Sequence, residues 1–95
     1  MSENAEAEDE GARGVINGLM EQIDDAIYKA DQKPRTIALQ RLRAYLLAVL
    51  GNEELQTGAE LAGALRESPR PPGFSSYPPQ ISKALRDAVT ELEEE

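Results

Sequence analysis

Four side chains near the end of the chain carry the most specific chemistry: Gln80, Ser82, Lys83 and Arg86. On a helix they fall within two turns. Gln and Arg make paired hydrogen bonds to base edges, while Ser and Lys hold phosphates. A second set of bases, Lys29, Lys33, Arg35, Arg41 and Arg43, surrounds an interhelical turn. Arg41 and Arg43 are two apart, so they diverge around a helix. These bases either assist on a nucleic-acid backbone or pair with Asp24, Asp25 and Asp31. A third set is Phe74 and Tyr77, the only Phe and one of three Tyr. They sit among prolines, and a stiff aromatic segment loses little entropy on binding, which suits it to anchor a partner protein. Their other use is as a lid folded back over the core.

Catalysis finds no comparable set. The chain has no His and no Cys, which removes serine-histidine and cysteine-histidine catalysis and the commonest metal ligands. The acid pairs Asp24-Asp25 and Glu53-Glu54 are adjacent, so their side chains diverge. There is no Gly-rich phosphate loop, and no spacing makes a nucleophile of Ser82. The expectation is a protein that is not an enzyme and has no cofactor.

With 95 residues, 40% of them hydrophobic and 4% aromatic, the chain makes one small domain with a thin aliphatic core. Such a core suits helices. The formal charge is −8, but five acids lie in residues 1–10 and four more among Glu91, Glu93, Glu94 and Glu95. Residues 11–90 hold ten bases against nine acids, so the body of the domain is near neutral and the acidity sits at its ends. The longest apolar run, Ala44 to Leu50, is far short of the ~20 residues a membrane span needs. No secretory leader is evident, and the expected address is cytoplasmic.

The elements that must position these residues follow from periodicity. Residues 1–12 lack large apolar side chains and are expected to form a disordered acidic tail. Residues 13–31 read as a helix: Ile16, Leu19, Ile23, Ala26 and Ala30 follow 3-4 spacing. Pro34 suits the first turn of a second helix, 35–50, with Leu39, Leu42, Leu46, Val49 and Leu50 on one face. Its run Ala44 to Leu50 is apolar nearly all round, which predicts that this helix is the central one. Gly51-Asn52 reads as its stop. Thr57-Gly-Ala-Glu60 is a capping box opening a helix over 58–67. Five of six prolines then fall in the loop 68–79. A last helix, 79–92, buries Ile81, Leu85, Ala88, Val89 and Leu92, and 93–95 is an acidic end. The expected fold is all-α, a single four-helix domain over 13–92.

The later three helices resemble the helix-turn-helix core of winged-helix regulators. In that family the second helix often reads as a capped x-E-L-A-x-x-L and the third as I-S-K-x-L-x-x-L. Here Glu60-Leu61-Ala62 with Leu65, and Ile81-Ser82-Lys83 with Leu85, fit those patterns. The resemblance spans residues 35–92 and implies that Ser82, Lys83 and Arg86 lie on a recognition helix, with Gln80 near its start, ready for a major groove. The chain departs from the family at the turn, where 3–4 residues become a long Pro-rich loop.

Two functional expectations follow. The first is a small DNA-binding regulator that uses Gln80, Ser82, Lys83 and Arg86, aided by Arg41 and Arg43. The second is an acidic helical adaptor, of the kind phages and plasmids encode. It binds another protein through Ile16, Leu19 and Ile23 of the first helix and through Phe74 and Tyr77. The same first-helix stripe offers a route to a homodimer.

Overall fold

Pro34 sets the first boundary. It stands in the first turn of a helix whose cap, Gln32, is extended at φ −114° and ψ 133°, so the preceding helix has to end before it. In the computed structural model, which describes residues 2–70 and 77–94 with side chains from Gly11 onward, four helices follow one another. They are α1 (Ser2–Lys29), α2 (Lys33–Gly51), α3 (Gly58–Arg66) and α4 (Pro79–Glu93). The domain is all-α, with no strand among the described residues. The backbone of α1 runs on through the stretch expected as a tail. Ala and Glu there are strong helix formers, and acids suit a helix N-terminus. Among the described side chains, packing on α1 starts at Ala12.

The other ends are set locally. α2 stops where Asn52 turns extended and its N–H returns to the Val49 carbonyl. The Asn52 side chain then accepts the Glu54 N–H at 2.9 Å. No described glycine has a positive φ, so the stop at Gly51-Asn52 is made by Asn52 and not by a left-handed glycine. The capping box of α3 is complete. The Thr57 hydroxyl accepts the Glu60 N–H at 3.1 Å, and the Glu60 carboxylate accepts the Thr57 and Gln56 N–H groups at 3.0 Å each. α4 opens with Pro78 as its cap and Pro79 in its first turn, and the Ile81 and Ser82 N–H groups bond back to the Pro78 carbonyl.

Packing places α1 against α2 and α4, and α4 against α1 and α3. The side chains fully enclosed by these contacts are Ile16, Ile23, Leu39, Leu42, Leu46, Leu61, Ile81 and Leu92. Each of these Leu and Ile side chains contributes roughly 1.5–3 kcal/mol by leaving water. α2 and α3 touch less, and the Tyr45 hydroxyl ties them by donating to the Ala64 carbonyl at 2.7 Å. Arg13 of α1 closes the same corner, donating to the carbonyls of Leu50 and Leu55.

One expectation is overturned. α2 is not the central helix. Leu47 is 49% exposed and Ile37 39% exposed, and Ala44 and Ala48 are exposed as well. A helix apolar all round signals burial only when neighbours surround it. Here α1 and α4 each pack extensively on two other helices, whereas α2 packs extensively only on α1 and keeps one face uncovered.

Candidate functional site

α3 and α4 pack on each other along Leu61, Leu65, Ile81 and Leu92, and their outer edges leave an open groove of about 760 Å³. Leu85 and Val89 of α4, with Pro69 and Tyr77 from the connecting segment, give it an apolar, half-buried floor. Its rim is basic: Arg66 ends α3, Arg70 follows one turn later, and Arg86 rises from α4. Ser82 lies beside Arg86 on the same edge. Arg66 pairs with Glu93 across the groove, and Arg70 donates to the Arg66 carbonyl at 3.3 Å. Arg86 has no ion pair among the described residues.

Tyr77 settles the shape of the groove mouth. Its hydroxyl donates to the Pro69 carbonyl at 2.7 Å, which holds the two ends of the Pro-rich segment together. The ring packs against the core, and burial raises the hydroxyl above its ordinary value of 10.0. Tyr77 is therefore a half-buried clasp and not a free anchor. Phe74, the other aromatic expected here, lies outside the described residues.

The residues expected to meet DNA do not converge. Ser82 and Arg86 line the α3/α4 groove, whereas Gln80 and Lys83 face a second groove between α4 and α1. On that side Lys83 pairs with Asp87 at 3.2 Å, and Glu91 follows. Arg41 and Arg43 sit on α2. Arg43 donates to Asp24 at 2.5 Å, and Lys29 pairs with Asp25 at 3.0 Å, so part of the basic cluster is spent on ion pairing. Arg41 is exposed.

Ile16, Leu19 and Ile23 point inward and are 0%, 2% and 0% exposed. α2 and α4 cover this stripe within the chain, which leaves it no apolar face for a partner or a second copy. The physical reason is that α1 has two neighbours, so both sides of its stripe are used.

Sequence reasoning missed Arg66 and Arg70. Their spacing of four, continued past the end of α3, was the available signal. Among the described residues, no group of three or more acids lies close enough to hold a metal ion, and no helix is long and apolar enough to cross a membrane. No known protein family, curated protein or solved structure matches this chain.

Proposed function

We propose that this chain is a non-enzymatic, cytoplasmic protein-interaction module, and that its α3/α4 groove takes a partner segment carrying both apolar side chains and carboxylates. The observation behind this reading is the groove's make-up: Leu85 and Val89 form its floor, beneath Arg66, Arg70 and Arg86. Apolar floors supply most of the binding energy of such a site, and arginine forks give specificity for carboxylates. The Tyr77 clasp supports it further, because a groove edge already fixed by the bond from Tyr77 to Pro69 costs little ordering on binding. The test is selection from a random displayed peptide library. Acidic-apolar sequences should be enriched, and Arg70→Glu with Arg86→Glu should weaken them at least tenfold while the helical circular dichroism signal holds. Selected peptides without acids, or binding indifferent to both reversals, would sink the reading.

A second reading, DNA binding through α4, draws on one observation: Gln80, Ser82, Lys83 and Arg86 are all exposed in its first two turns. Against it, α4 also carries Asp87, Glu91 and Glu93, with Glu94 directly after it, and these repel phosphate. Anisotropy titration of random duplex at about 50 and 200 mM salt separates the two, since phosphate contacts weaken steeply as salt rises. Lys83→Glu disturbs only the DNA reading, and Arg70→Glu only the peptide reading.

A further inference from the structure

The uncovered face of α2 stands apart from the α3/α4 groove. Lys33, Ile37, Gln40, Arg41, Ala44, Leu47, Ala48 and Gly51 are all exposed, and their spacing of three and four puts them on one continuous side of the helix. Two of them, Ile37 and Leu47, are large exposed apolar residues. Ala44, Ala48 and Gly51 are small, and a Cβ built at Gly51 would meet nothing within 4 Å. A face with large side chains at some heights and empty space at others fits a partner of complementary relief.

We propose that the partner is a second copy of this chain, packed α2 against α2 in antiparallel fashion about a two-fold axis at Ala44. The relief is self-complementary in that arrangement. At 1.5 Å rise per residue, positions equally far from Ala44 on the two copies come level. Ala44 meets Ala44 of the other copy, which allows close approach. Ile37, about 10 Å from the axis, meets the open space over Gly51 of the other copy. Leu47 lies beside Gln40 of the other copy, and Arg41 passes over its Ala48.

Charge selects the same arrangement. α2 contains four bases and no acid. Lys33 sits at its N-terminus, where the helix's own dipole disfavours a cation. In the antiparallel pair, Lys33 instead lies about 6 Å beyond Gly51, the last residue of the other α2, where the chain turns through the exposed Glu53 and Glu54. Both the helix end and the two carboxylates favour it there, and two-fold symmetry repeats the contact. A parallel pair would set Lys33 on Lys33 and leave the glutamates unused. The two Arg41 side chains stand about 9 Å apart along the axis, roughly one Debye length at 0.1 M salt. One helix per side is a small interface, so micromolar association is expected.

The test uses the whole chain. Sedimentation equilibrium over a concentration series should approach twice the 10.4 kDa chain mass. Ala44→Glu and Leu47→Glu should both leave a monomer, with circular dichroism unchanged because both sites are exposed. Lys33→Glu should weaken the dimer, and adding Glu53→Lys and Glu54→Lys should restore it. The chain has no Cys, so Ala44→Cys should form a disulfide dimer under mild oxidation, while Tyr28→Cys, 89% exposed on the outer side of α1, should not. A monomer at every concentration overturns the proposal. So does a dimer that survives Ala44→Glu and Leu47→Glu, since it would use another face. None of these variants touches the α3/α4 groove, so peptide capture there is scored independently.

Discussion

Replacing Gly18 and Gly63 by Ala should stabilise the domain, and the size of the effect follows from the structure. Both glycines lie inside helices, Gly18 in α1 and Gly63 in α3. A glycine at an interior helical position costs about 1 kcal/mol relative to alanine, mainly through backbone entropy in the unfolded chain. A Cβ at either site meets nothing within 4 Å, so no clash opposes the gain and no packing adds to it. Neither has a positive φ. Gly18 lines the α1/α4 groove and Gly63 the space between α2 and α3, so the two effects should add. The double variant should gain about 2 kcal/mol. For a domain of this size that is roughly 8–16 °C in Tm. The assay is thermal unfolding followed at 222 nm, at one fixed protein concentration, with a urea series to check that the slope is unchanged. A Tm that falls on Gly18→Ala would mean that α1 and α4 approach more closely than described. A Tm unmoved by either change would refute the entropy reasoning.

Four further outcomes are expected. Leu46 and Leu47 are neighbours in sequence but 0% and 49% exposed, so Leu46→Ala should cost about 2–5 kcal/mol in urea unfolding while Leu47→Ala costs under about 0.5 kcal/mol; equal losses would contradict the placement of α2. Thr57→Ala should remove about 1 kcal/mol by opening the α3 cap. Backbone hydrogen bonds from Thr57, then Gln56, hold the Glu60 carboxyl below its ordinary 4.5; its contribution is therefore present above that value and lost as pH falls through the lower folded value, so Glu60→Gln should flatten acid unfolding. Burial, helped by Glu67, raises the Tyr45 hydroxyl above 10.0, and burial alone raises Tyr77; their stability is complete below pH 10 and lost as pH rises through the folded values, so Tyr45→Phe with Tyr77→Phe should flatten the alkaline limb of a urea titration.

Much of the fold was legible without the structure, because its causes are local. The 3-4 spacing of Ile16, Leu19 and Ile23 marks a helix wherever it packs. Thr57 and Glu60 form their capping box within four residues of chain, and Pro34 ends one helix and begins another through its own ring. The site was legible only in part. Periodicity names a face, but the run Ala44 to Leu50 is apolar on every side and so names none. Which side of α2 stays uncovered depends on where α1 and α3 lie, and that is set by the sum of contacts between residues far apart in sequence. The same holds for α4, where Gln80 and Arg86 share a helix yet open onto different grooves because α1 covers one flank and α3 the other. Composition and local spacing thus determined an all-α domain, its helix ends apart from the start of α1, and its inward stripes. Only the tertiary packing decided that Arg66 and Arg70 join Arg86 over Leu85 and Val89, and that α2 carries Ile37, Ala44 and Leu47 on its outer side.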